Sequence, residues 1–212
     1  MLNLSKISNG YRATRMASWC KLGGQFRRSR DGAAAIEFAI LAIPYFMIIF
    51  AILETFIAFW GEELVANAVQ TMSRELRTGN ITYNLGRDNN MTEKQFRAAF
   101  CDEVSILISC TQEEINTPSR LFLDIRNFKT FADIPTAIPR TSSETSAPLD
   151  TSTFAYNPGG PGTINMMRAY YKWHVITDLI RPYISNVRPE EGSRPTDFLI
   201  VETTAFVNED YP

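Results

Sequence analysis

The pattern of apolar and polar positions changes character twice along the chain. From Ala33 to Trp60 it is almost continuous. Phe38 to Leu53 is 16 consecutive apolar or proline residues, and Glu37 and Glu54 are the only charged side chains in the whole stretch. As a helix rising about 1.5 Å per residue, Ala33 to Trp60 would reach roughly 42 Å, enough to cross a bilayer. Beyond Trp60 the pattern becomes amphipathic at helical spacing: Val65, Ala68, Val69, Met72 and Leu76 fall on one face, and the helix is expected to stop near Gly79. Residues 80–91 are rich in Asn and turn-like. Thr92-Glu93-Lys94-Gln95 then reads as a capping box, with Met91 and Phe96 placed as its hydrophobic staple. The second helix it opens carries Phe96, Ala99, Phe100, Val104, Leu107 and Ile108 on its buried stripe. Three apolar or alternating runs follow and predict strands at Leu121–Phe128, Ile164–Ile176 and Phe198–Val207. In the middle one, Met167, Ala169, Tyr171, Trp173 and Val175 share a face. Residues 129–163, with Pro135, Pro139 and Pro148 among Ser and Thr, read as a flexible connector. The expected fold class is therefore α+β, with a small antiparallel sheet packed on helix.

Charge gives this layout a direction. Residues 1–31 hold seven basic side chains against Asp31, a net of +6, whereas the other 181 residues hold 14 basic and 22 acidic ones, a net of −8. A detached basic tail ahead of an apolar run argues against a nucleic-acid binder, whose cations should form a folded patch. The positive-inside rule instead places residues 1–32 in the cytoplasm as a basic leader, 33–60 across the membrane and 61–212 on the far side. A buried core helix of this length is a poorer reading. A cleaved secretory signal is a further rival, but the leader is long, the apolar run exceeds the ~7–15 residues of an ordinary signal core, and it ends in Phe59-Trp60-Gly61-Glu62-Glu63 with no Ala-x-Ala-like site. A retained anchor fits better. Pro44 would kink its helix, which membrane helices tolerate. Glu54 would sit near the far interface, within reach of water. Glu37, one turn inside the near edge, requires a partner, because a carboxylate at the centre of a bilayer costs roughly 2.5–3.5 kcal/mol even on lenient scales.

The segment Arg30-Asp31-Gly32-Ala33-Ala34-Ala35-Ile36-Glu37-Phe38 resembles the processing junction of type IVb prepilins, where a basic leader ends in Gly and a Glu and an aromatic residue follow. More widely, the chain resembles the TadE-like family of pseudopilins from the tight-adherence (Tad) pilus apparatus. The residues that carry this are Gly32 to Ala39, Pro44, Glu54, the run Ser73 to Gly79, the Cys101 and Cys110 pair, Pro158 to Gly162, and Ala205 to Glu209. Residues 1–26, with Cys20, and the stretch 135–153 contribute nothing to it. Phe38 stands where major Tad pilins commonly have Tyr, and about 180 mature residues are many more than those small subunits have.

The resemblance implies cleavage between Gly32 and Ala33 by a prepilin peptidase, and a charge pair between Glu37 and a new α-amino group, often on a neighbouring subunit. Such a pair would offset the desolvation that either ion suffers alone. It also implies a pilin-like fold, partners among other Tad pilins, pseudopilins and the inner-membrane assembly platform, and a periplasmic domain. Cys101 and Cys110 would lie about 13.5 Å apart on one straight helix, so a bridge requires the helix to end near Leu107 and the chain to fold back. Two buried free thiols are the alternative; the oxidising compartment and the resemblance favour the disulfide.

Nothing in the sequence points to catalysis. The single histidine, His174, falls mid-strand beside Tyr170 and Lys172. The glycines of 159–162 precede a strand, and no Cys-x-x-Cys, His-Glu-x-x-His or Gly-x-Ser-x-Gly occurs. The expectation is a minor pseudopilin-like membrane protein with no enzyme activity, no cofactor, no metal and no nucleic-acid partner. An uncleaved bitopic anchor with a partner-binding domain is the alternative, and an enzyme would require acids or His174 with a base gathered in a deep cleft.

Overall fold

The computed structural model describes residues 30–211, so the basic leader and Cys20 lie outside the described residues. Two compact units divide between Ile49 and Phe50. Up to that division the described chain is helix. The second unit holds the rest of that helix and everything after it.

Helix α1 runs Arg30–Arg77 and contains Pro44 without ending there. Its stop matches the sequence expectation: Gly79 takes a φ of +76°, Thr78 N–H donates to the Arg74 carbonyl (2.9 Å), and Ile81 N–H returns to that of Glu75 (3.1 Å). Helix α2 spans Glu93–Glu103 and opens with the expected capping box, Thr92 N–H donating to Gln95 Oε1 at 2.8 Å and Gln95 N–H donating to Thr92 Oγ1 at 3.4 Å. It ends four residues before Leu107. Val104 and Ile108 are nevertheless buried, because the turn that follows returns them to the same core. A short α3, Gln112–Asn116, comes next, capped by Thr111.

The sheet has four strands: β1 Leu121–Phe128, β2 Tyr156–Asn157, β3 Ile164–His174 and β4 Asp197–Val207, in the order β2-β1-β3-β4. The three predicted strands lie within a residue or two of their expected bounds and pair antiparallel, with Leu123 opposite Ala169 and Ala169 opposite Glu202. The two-residue β2 adds a parallel edge to β1 that the sequence did not suggest. A last four-residue helix, α4, spans Arg181–Ile184 between β3 and β4.

One face of the sheet packs on helix. Leu123 and Ile125 of β1, Met167 and Ala169 of β3, and Ile200 and Phe206 of β4 join Val65, Val69, Met72 and Leu76 of α1 and Phe96 and Phe100 of α2 in one core. This is the odd-numbered face of β3, as its alternation implied. The other face is also covered, unlike the expectation for the connector. Residues 129–163 lie over it, with Leu149 and Phe154 gathered against Tyr170, Val187 and Leu199. Phe154 stacks on Tyr170 with ring centres 4.7 Å apart. Buried Arg168 holds the connector's start by donating to the Pro135 and Ala137 carbonyls, and buried Asp124 holds its return by accepting from Ala155 N–H. These polar anchors replace the apolar runs that would have announced the packing.

The chain's end is tied back to the start of the domain. Glu209 N–H donates to the Arg77 carbonyl (2.9 Å), their side chains pair at 3.6 Å, and the Tyr211 ring occupies the space a Cβ on Gly79 would need. Ser73 to Gly79 and Ala205 to Glu209, two segments far apart in sequence, therefore meet at one corner.

Candidate functional site: the apolar helix and its clasp

The stripe of α1 that faces the sheet domain begins well before Trp60. Ala51, Glu54, Ala58, Gly61, Val65, Ala68, Val69, Met72 and Leu76 recur every three or four residues, and all are buried. Apart from Glu54, its first part is built of small residues, Ala51, Ala58 and Gly61, which lets the strands approach closely. A Cβ on Gly61 would stand 3.4 Å from Trp173 Cζ3 and 3.6 Å from Ile200 Cδ1. Phe56, Phe59 and Trp60 lie off this stripe and are exposed.

Glu54 does not have the hydrated role expected of it. It is 9% exposed, and its carboxylate accepts from two consecutive backbone amides, Ile176 N–H at 2.5 Å and Thr177 N–H at 2.7 Å. Those amides open the loop between β3 and α4. Arg181 closes the same loop on itself, donating to the Val175 and Ile176 carbonyls and pairing with Asp178 at 2.6 Å. The clasp therefore joins the helix to a segment over 120 residues away. No local motif could reveal it, because its donors are backbone groups. Further along the same interface, Glu202 projects from the helix-facing side of β4. Burial and the carboxylates of Glu62 and Glu63 push its acid above the usual range.

Upstream, Ile36, Phe38, Ile40, Leu41 and Ile43 are exposed. Only 6% of the most apolar 18-residue window of α1 is buried, whereas the core helix of a soluble domain is mostly buried. Gly32 and Ala33 lie in its first turn. Glu37 and Phe38 are exposed on the next, and among the described residues none is ion-paired with Glu37. The sequence-predicted residues of this region, Gly32, Ala33, Glu37, Phe38 and Pro44, thus share one helical segment, on which Glu37, Phe38 and Pro44 are exposed.

Cys101 and Cys110 are elsewhere, joined by a disulfide with their Cα atoms 5.8 Å apart. The end of α2 at Glu103 makes this possible by folding the chain back. Beyond the bridge, Glu114 accepts from the backbone amides of Ser119, Arg120 and Leu121 and from the Ser119 hydroxyl. Partial burial alone would raise its pKa, but these donors outweigh it and hold the acid below its ordinary value. Glu114 and Cys110 line an open groove shared with Tyr171 and His174. His174 is half-exposed there, its Nδ1 2.7 Å from Asp197 Oδ1. Among the described residues no group of three or more His, Cys, Asp or Glu side chains is placed to hold a metal ion.

The exposed apolar first half of α1 thus continues into a second half that forms part of an α+β domain. The family model described as TadE-like protein matches residues 32–74, from the glycine of the first turn to the last turns of α1. That segment is similar to TadE-like proteins. No curated protein and no solved structure matches the chain.

Proposed function

We propose that this protein is a minor pseudopilin-like component that assists assembly of a Tad-type pilus or secretion apparatus. Prepilin peptidase cuts between Gly32 and Ala33. The helix from Ala33 anchors the product in the inner membrane, and the α+β domain stands in the periplasm facing other pilins and the assembly platform. The TadE-like segment over 32–74, whose first half is an exposed apolar helix long enough to span a membrane, carries this reading. Glu37, exposed at the near end of that helix, would accept the α-amino group of a processed neighbour. The role is structural rather than catalytic; His174, paired with Asp197, is half-exposed in an open groove.

A second reading, an uncleaved bitopic anchor with a partner-binding periplasmic domain, draws on a specific observation: the Gly32–Ala33 bond lies inside α1. Cleavage requires that first turn to unwind. The cost is small because the first four amides of a helix lack intrahelical acceptors. Intact mass and N-terminal sequencing of protein from its native membrane separates the two readings. A chain beginning at Ala33, lost in Gly32→Ala, supports processing. A chain beginning near Met1, in cells that process other prepilins, selects the bitopic anchor.

A further inference from the structure

The loop caught by Glu54 has a composition the clasp does not explain. Val175 to Ile184 reads Val-Ile-Thr-Asp-Leu-Ile-Arg-Pro-Tyr-Ile, and three of its large side chains point away from the protein: Ile176 is 78% exposed, Leu179 45% and Tyr183 85%. Its polar groups, by contrast, are largely satisfied from within. Arg181 pairs with Asp178 and donates to two carbonyls. Ile180 and Arg181 N–H return to the Thr177 carbonyl, Tyr183 and Ile184 N–H to that of Ile180, and Ile176 and Thr177 N–H reach Glu54. The loop is net neutral and internally hydrogen-bonded, and outside it is apolar except for Asp178, 87% exposed with its charge paired to Arg181. Such a segment loses little on leaving water and gains by covering its side chains.

Its position along α1 indicates what covers them. Ala34 to Leu53 is 20 residues, or about 30 Å of helix, the thickness of a bilayer's hydrocarbon core. Glu54 is the next residue, so its clasp holds the loop backbone at the level where that core would end. The exposed Phe56, Phe59 and Trp60 follow within about 9 Å along the helix, the depth of a headgroup layer where aromatic rings concentrate.

We propose that the loop between β3 and α4 is a membrane-docking lip: Ile176, Leu179 and Tyr183 enter the headgroup region of the leaflet from which α1 emerges, and Glu54 sets their depth. The occupant is the lipid surface, continuous with the lipid around the helix. This rests on the proposed reading of the helix from Ala33 as a membrane anchor, with Ala34–Leu53 as the part inside the hydrocarbon core.

The full chain, with Cys20→Ser and the Cys101–Cys110 bridge intact, is reconstituted in phosphatidylethanolamine and phosphatidylglycerol vesicles. A single NBD-labelled cysteine is placed at Leu179, at Ile43 in the span, or at exposed Ser142 in the connector. A spin-labelled lipid with a shallow nitroxide should quench the label at 179 at least twofold while sparing the one at 142. Combining the 179 label with Glu54→Ala should remove most of that quenching. Quenching of the label at 43 by a deep nitroxide, with 179 as unquenched as 142, overturns the lip and leaves the span standing. An unquenched label at 43 overturns the span and the lip with it. A blue-shifted but unquenched label at 179, dependent on the protein-to-lipid ratio, gives the lip to a second copy of the chain and refutes lipid docking. The wild-type measurement decides the matter even if Glu54→Ala fails to fold.

Discussion

Removing the Cys101–Cys110 bridge tests how the domain stays closed around the end of α2. The bridge closes a loop of about ten residues, and the chain-entropy model assigns such a loop about 2.7 kcal/mol at 25 °C through restriction of the unfolded state. Native contacts should change little in Cys101→Ala/Cys110→Ala, because Val104 and Ile108 remain seated in the core and hold the turn from both sides. The loss should therefore appear as stability rather than as altered structure. For a domain of roughly 150–250 residues, about 2.7 kcal/mol corresponds to a fall in Tm of about 5–11 °C. Urea unfolding in detergent, followed by tryptophan emission on a Cys20→Ser background, should show a lower midpoint with an unchanged slope. Reductant applied to the bridged protein should reproduce the shift. A double variant within about 0.5 kcal/mol of the parent would refute the loop-entropy argument, and a changed slope would show that the native turn had opened instead.

Four further outcomes are expected. Glu37→Ala should leave membrane insertion intact but reduce pilus assembly in cells; wild-type piliation would count against its pairing with an amino terminus. Gly79→Ala should destabilise the domain by at least ~1–2 kcal/mol, since a Cβ is strained at positive φ and must also displace the Tyr211 ring; an unchanged urea midpoint would contradict this. Gly61→Ala should gain about 0.5–1 kcal/mol of helix propensity, because its Cβ meets Trp173 and Ile200 at ordinary contact distance, whereas Gly61→Leu should cost about 1–3 kcal/mol by overpacking. Glu202→Gln should stabilise the domain at neutral pH. Its folded pKa lies above the unfolded value, so the penalty it relieves is absent below about pH 4.3 and grows as pH rises through the folded pKa. Midpoints of parent and variant that differ equally at pH 4 and pH 7 would show the effect is not electrostatic.

Local signals carried much of this fold. The capping box at Thr92 and Gln95 marked the start of α2 to the residue, because its chemistry is contained in four consecutive positions. Its end was legible only within a few residues: Val104, Leu107 and Ile108 continue the helical stripe, and a turn can bury the same side chains at the same spacing. The second face of β3 offered a fainter signal. Met166 and Tyr170 interleave with Met167, Ala169 and Tyr171 in a nearly unbroken apolar run, the signature of a strand covered on both sides. What covers it was hidden, since Arg168 and Asp124 hold the connector through backbone groups that any sequence would supply. Glu54 was hidden for the same reason. Of the candidate site, the segment from Gly32 to Phe38 could be singled out in the sequence because its residues are close together, and the structure adds only that Glu37 and Phe38 are exposed.

The two ties on α1 have a mechanical consequence. Glu54 grips the β3–α4 loop and Arg77 grips the chain's end at Glu209, 23 residues apart on one helix, roughly 35 Å at the helical rise. A single tie would leave a swivel, and the domain could turn about it independently of the helix. Two make a crank. A torque or pull applied to this half of the helix loads both ends of the sheet together, with β4 taking it as shear along its pairing with β3 rather than as peeling from one end. Strands loaded in shear must break many hydrogen bonds at once, so the domain is built to move as a rigid handle on its shaft.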